Sequence, residues 1–167
     1  GEVKNETFET ARGDRIELAT LEMDAGVITE AAMQKAAQSK RVFATDPTSA
    51  WACTIGGNVA ENAGGKRAVL WGTAIDNLLS FRIAVPGGSL LEVQRMHPTG
   101  RRIGADESIT FSVTDSVEQK PIKLIHIQGR QLRKPGLGKD ITNKALEGLP
   151  GVQKEGTDGI ITSAVFM

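Results

Sequence analysis

Leu78-Leu79-Ser80-Phe81-Arg82-Ile83-Ala84-Val85-Pro86-Gly87-Gly88-Ser89-Leu90-Leu91-Glu92-Val93-Gln94-Arg95 reads as a β-hairpin. Leu79, Phe81, Ile83 and Val85 share one parity, so they line one face of an extended chain. Pro86-Gly87-Gly88 supplies the turn, and Leu90 to Arg95 returns as the partner strand. A hairpin at this position predicts antiparallel pairing at the heart of the fold.

Working outward, upstream of the hairpin, Arg15 to Met23 alternates apolar and polar residues through Ile16, Leu18, Leu21 and Met23. That period of two predicts a half-buried strand ending at Gly26. The polar stretch Gly1 to Asp14 is expected at an edge or a frayed end. Thr29 is a candidate cap for a helix over Glu30 to Ser39, where Ala32, Met33, Ala36 and Ala37 form an apolar stripe. Met33 reads as core filler. Val42 to Ala50 reads as a loop built on Asp46-Pro47-Thr48-Ser49.

Downstream, Met96 to Glu107 is loop-like. Ile109 to Val113 and Ile122 to Ile127 are candidate strands around a charged turn, Thr114 to Pro121. Arg130 to Lys139 is basic and carries Pro135, Gly136 and Gly138, which predicts an exposed loop. A short helix is expected over Thr142 to Gly148, and Gly159 to Phe166 reads as a buried strand. Strands joined by hairpins with a few short helices give an α+β fold with a mainly antiparallel sheet.

Composition narrows the function. The 167 residues fit one domain of ordinary size. Twenty Lys+Arg against 20 Asp+Glu leave no charge excess to attract nucleic acid or an anionic membrane. One cysteine, Cys53, excludes a disulfide scaffold and a Cys-based zinc cluster, and no metal site is expected. No apolar run reaches the length of a membrane span. There are 19 glycines, and they cluster.

The first cluster is Thr54-Ile55-Gly56-Gly57-Asn58-Val59-Ala60-Glu61-Asn62-Ala63-Gly64-Gly65, two glycine pairs flanking an expected short helix over Val59 to Asn62. Glycines before a helix let backbone N–H groups face an anion, and they let a flat ring lie on the backbone. Turn glycines closing a helix are the plainer reading. No Lys-Ser/Thr follows as in a P-loop, and no GxGxxG follows a strand. The second cluster, Glu155-Gly156-Thr157-Asp158-Gly159, leads into Ile160-Ile161-Thr162, either for close backbone approach or as a plain turn.

Taken in order, Ala25-Gly26-Val27, Asp46-Pro47-Thr48-Ser49, Thr54 to Gly65, Leu70 to Asn77, Lys139-Asp140 and Glu155 to Thr162 give the chain a family likeness. It resembles the FAD-linked oxidases with the vanillyl-alcohol oxidase and p-cresol methylhydroxylase fold. Within them it is most similar to the bacterial D-lactate dehydrogenase and glycolate oxidase flavoproteins. The segment Met96 to Arg133 resembles a family-variable insertion.

The resemblance implies that residues 1–167 are a partial FAD-binding domain, its second subdomain. The phosphate loop is expected upstream and the substrate domain downstream. It implies non-covalent FAD in the parent protein, because His97 and His126 lie outside the matched motifs and Cys53 is small; residues 1–167 alone are expected to bind FAD weakly or not at all. Pro47 and Thr48 are implied near the flavin, with Ala52, Cys53 and Thr54 beside the ring and ribityl chain. Gly56, Gly57 and Asn58 are implied in close approach, and Asn62, Gly64 and Gly65 shape the same wall. Gly159, Ile160 and Ile161 are implied at the adenosine end or the ribityl chain. Asp158 stands where the family commonly has an apolar residue, so its role is open.

The implied activity is oxidation of a small 2-hydroxy acid such as D-lactate or glycolate by a cytoplasmic protein or one peripheral to the inner membrane. No catalytic base follows from the sequence; His97 and His126 qualify by type alone, and His126 alternates as a solvent-facing strand residue. Arg130, Arg133, Lys134 and Lys139 read as a phosphate-binding run or, more plainly at neutral net charge, as a solvated basic loop. Two other readings stand beside this one: a non-catalytic interaction module that kept the fold, and a general nucleotide-binding domain. A subdomain without its partner face also predicts exposed apolar surface and a homodimer.

Overall fold

The computed structural model describes residues 1–133 and 144–167. Seven strands form one sheet: β1 (Val3–Glu9), β2 (Arg15–Asp24), β3 (Leu78–Ala84), β4 (Leu90–Met96), β5 (Ser108–Asp115), β6 (Lys120–Gln128) and β7 (Ile160–Phe166). Their order across the sheet is β1-β2-β7-β3-β4-β5-β6, and every neighbouring pair is antiparallel. The fold is α+β, as the hairpin predicts. The expected polar edge is β1, with Val3 opposite Leu21 and Glu9 opposite Arg15.

Among the described residues there are four short α-helices: α1 (Thr29–Gln38), α2 (Ile55–Ala60), α3 (Ala68–Trp71) and α4 (Ala74–Asn77). The alternating strand residues Met23, Phe81, Val93, Phe111, Ile127 and Phe166 are buried on one face. Ala32 and Ala36 of α1, Ile55 and Val59 of α2 and Ile75 of α4 join them in one core. Each fully buried aliphatic or aromatic side chain contributes roughly 1.5–3 kcal/mol through area removed from water. The other sheet face carries Arg82, Gln94, Leu124 and His126, all exposed.

Several sequence expectations shift at element ends. Thr29 does not cap α1; Ile28 holds that position, and the buried Thr29 hydroxyl donates to the Cys53 carbonyl at 3.2 Å. The first glycine pair lies inside α2, whose cap is Thr54. The charged turn shortens to the residues between Asp115 and Lys120, because β6 runs through Pro121 on its free edge. β7 is buried on alternate residues only: Ile161 is inside and Ile160 is 72% exposed. Within the expected helix over Thr142 to Gly148, the described part is a 3-10 turn at Leu146–Gly148.

A polar hub fixes the far end of the core. Asp76 Oδ2 accepts from the Thr73 backbone N–H at 2.8 Å, closing the capping box of α4. Its Oδ1 accepts from the Ile103 N–H at 2.9 Å and from Arg133 Nη2. Arg95 Nη1 donates to the Asp76 carbonyl at 2.6 Å. Arg133 is therefore a mostly buried ion-pair partner, not part of a solvated run; Lys134 and Lys139 lie outside the described residues. No helix among the described residues is long and apolar enough to cross a membrane.

Candidate functional site: a backbone-lined cleft

The end of β2 and the start of α2 are stapled together. Thr29 N–H donates to the Cys53 carbonyl at 3.0 Å, and Ile55 N–H to the Val27 carbonyl at 2.9 Å. Gly56 N–H donates to the Ala25 carbonyl at 2.9 Å. A Cβ on Gly56 would stand 2.8 Å from the Ala25 Cβ, so only glycine lets the two backbones meet here. Beneath the staple, Asn58 Nδ2 donates to Thr29 Oγ1 at 2.8 Å, and Cys53 Sγ lies 3.3 Å from the same oxygen.

The start of β7 closes the opposite wall. Gly159 abuts β3 so closely that a Cβ would lie 2.6 Å from the Ala84 carbonyl oxygen. Asp158 turns inward and its Oδ2 accepts from the Gly151 N–H at 2.9 Å, pinning the turn before the strand. Its Oδ1 is buried without a partner. This answers the question left open by the sequence: the acid holds the 151–158 loop in shape.

Between these walls lies an open cleft of about 400 Å³. Of the residues singled out from the sequence, Thr54, Gly56, Gly57, Gly159, Ile160 and Ile161 line it. Ala25, Gly26, Ala60, Gly151 and Gly156 line it too. Gly26 and Gly156 were legible as parts of the motifs but not as wall residues, because the folded proximity of 26, 56 and 156 is what makes them so.

The other residues sit elsewhere. Asn58 and Asn62 are buried, and Asn62 Oδ1 accepts from the Ile75 N–H at 2.9 Å. Gly64 packs on Ala68 and Thr73, and Gly65 lies against the Asp46 backbone. Pro47, Thr48, Ala52 and Cys53 belong to the loop and turn leading into α2 and do not line the cleft.

The wall offers shape more than donors. Gly57 N–H is taken by Thr54 Oγ1 at 3.2 Å, and Gly56 N–H by Ala25. Neither is free to face an anion. A Cβ added at Gly26 or Gly156 would meet nothing within 4 Å, so the missing side chains leave open volume beside the backbone. Exposed Ile160 adds an apolar edge. The open backbone wall leaves room for a flat ring system, and the N–H groups of Gly56 and Gly57 are not available to a phosphate. Among the described residues, no group of three or more His, Cys, Asp or Glu could hold a metal ion.

Comparison with known proteins gives the family. The chain is 42% identical over 66 residues to the glycolate oxidase subunit GlcD of Escherichia coli (strain K12), covering 40% of this chain and 13% of that protein. It is 34% identical over 74 residues to the D-2-hydroxyglutarate dehydrogenase of Xanthomonas citri pv. viticola, covering 44% and 16%. It is 33% identical over 73 residues to the D-lactate dehydrogenase of Anaerostipes hadrus, covering 44% and 15%. The aligned stretches thus span a small part of these relatives. The profile of the family described as "FAD binding domain" matches residues 9–94, which run from the end of β1 into β4 and include one whole wall of the cleft. With just over half of its length matched, the chain belongs to the FAD binding domain family, whose cofactor is FAD.

Proposed function

We propose that the cleft is the flavin-facing wall of an FAD-dependent oxidoreductase that acts on a small 2-hydroxy acid. One observation carries this reading. Three segments far apart in sequence, Ala25-Gly26, Thr54 to Gly57 and Gly156 to Ile161, meet in one cleft whose walls are mostly glycine and backbone. The relatives' oxidation of glycolate, D-lactate and D-2-hydroxyglutarate, as their names state, supports the substrate class.

In this reading FAD, held without a covalent link, supplies the redox chemistry by accepting a hydride equivalent from the hydroxy acid. The chain's own residues supply the surface. Gly26, Gly57 and Gly156 would offer the ring system a backbone surface, with Ile160 and Ile161 as its apolar neighbours; all five line the cleft. The Thr54 cap and the Asp158–Gly151 bond keep the two walls rigid, so little ordering remains to be done on binding. Residues 1–167 act as one subdomain of the flavin domain, and the pyrophosphate grip and the substrate-binding groups come from other segments of the protein.

Anaerobic addition of glycolate, D-lactate or D-2-hydroxyglutarate to the flavin-loaded protein tests this reading. Bleaching of the oxidised flavin absorbance by one of the three is expected. A flavin-loaded protein whose spectrum none of them changes contradicts the substrate class, and a protein that takes up no FAD contradicts the reading as a whole.

A further inference from the structure

At the opposite end of β2 lies a second cavity, enclosing about 510 Å³. Ile16 lines it, whereas Ala25 lines the flavin cleft; at about 3.3 Å per strand residue the two are roughly 30 Å apart. Thr10, Arg12, Arg95, His97 and Thr99 bring polar or cationic side chains to its wall. Two acids are also there. Glu107 is held by Arg101, whose Nη1 donates to Oε2 at 3.0 Å, and by the Gly104 N–H. Asp14 sits in the β1–β2 turn beside Arg12.

Arg95 is the unusual member. It is the largest of the fully buried side chains, 2% exposed, and projects from β4 toward the core alongside Val93. Its Nη1 donates to the Asp76 carbonyl, but Nε and Nη2 are buried with no hydrogen-bond partner. Those two nitrogens form one edge of the planar guanidinium. That edge is the fork that matches both oxygens of a carboxylate. Leaving it unmatched costs about 1–3 kcal/mol for each buried donor, more for a charged group. Burial lowers the Arg95 pKa to about 10, with Asp76 and Glu107 opposing the shift, so the group is still charged at neutral pH.

We infer that this cavity is a carboxylate-binding site, separate from the flavin cleft, in which the Nε–Nη2 fork of Arg95 takes both oxygens of a small organic acid. Arg12 and the Thr10 hydroxyl supply the outer contacts. Both fork nitrogens are closed to solvent in this state, so the ligand reaches them by displacing part of the 97–107 wall, which carries Gly100 and Gly104.

Calorimetric titration of the full chain with succinate, with inorganic phosphate as a second arm and chloride matching the ionic strength, tests the assignment. Saturable succinate binding is expected, tighter than phosphate. Arg95→Met should weaken it by about tenfold or more, as loss of a charged hydrogen-bonding pair implies. Arg95→Met also removes the bond to Asp76, so the exposed Arg12→Ala serves as the second variant and should weaken succinate binding several-fold with an unchanged melting temperature. Absence of saturable binding, binding that neither variant changes, or phosphate binding tighter than succinate would overturn the inference.

Discussion

The two ends of β2 are built on opposite principles. At its C-terminal end, the cleft walls are glycine and backbone, and the N–H groups of Gly56 and Gly57 are satisfied internally. At its N-terminal end, the cavity is lined by long charged side chains, and Arg95 retains an unmatched buried edge. A wall without side chains selects by shape, and at Gly56 and Gly159 it tolerates no added Cβ. A wall of charged side chains selects by chemistry and tolerates changes in shape, but a lost partner there is expensive.

Removing a charge at the side-chain end should have the largest effect. Asp76→Ala strips Arg133 of its carboxylate and leaves the Thr73 and Ile103 N–H groups without an acceptor. A loss of about 3–5 kcal/mol in chemical-denaturation stability is expected, as for breaking a buried ion pair. A loss below 1 kcal/mol would show that the hub is not coupled to folding. At the cleft, Gly56→Val forces a branched side chain onto the Ala25 Cβ. Overpacking should cost about 1–3 kcal/mol, more than the few tenths of helix propensity gained. An unchanged melting temperature would mean the staple gives way easily.

Thr54→Ala removes the side-chain acceptor of the α2 cap and should cost about 1 kcal/mol. Loss of flavin affinity beyond that stability change would separate a rigidifying role from a purely structural one. The smallest effect is electrostatic. Hydrogen bonds from Arg101, then from the Gly104 N–H, hold the Glu107 carboxyl below its usual range. A depressed carboxyl stabilises the fold above its unfolded pKa and loses that contribution as pH falls through the folded value. Wild type and Glu107→Gln should therefore differ most in melting temperature near neutrality and converge under acid, below about pH 4.5. A difference that stays constant with pH would contradict the pairing.

The same contrast governs what could be read from the sequence. The β3–β4 hairpin, β2 and β7 were legible because parity and turn glycines are local signals. The helix over 29–38 was legible by its stripe, but its cap was not, since the Thr29 hydroxyl is drawn to the Cys53 carbonyl 24 residues away. The glycine clusters pointed to a flavin, while which glycines share a wall depends on β2 and β7 pairing across 140 intervening positions in the chain. Arg133 read as part of a solvated basic loop because its partner, Asp76, is 57 residues distant. Arg95 was legible only as the end of a strand, and a lone arginine on a strand says nothing of which edge of its guanidinium finds a partner.

The central claim is that the backbone-lined cleft receives the flavin, and Gly26→Leu tests it most directly. A Cβ at Gly26 meets nothing within 4 Å, and its φ is not one that only glycine adopts, so the variant should fold with an unchanged melting temperature. The leucine side chain would fill the cleft that Gly26 lines. FAD affinity, followed by quenching of flavin fluorescence in the parent protein that carries the pyrophosphate grip, is expected to fall by about tenfold or more, on the scale of about 1.4 kcal/mol per factor of ten. Wild-type affinity in a folded Gly26→Leu protein would place the flavin elsewhere.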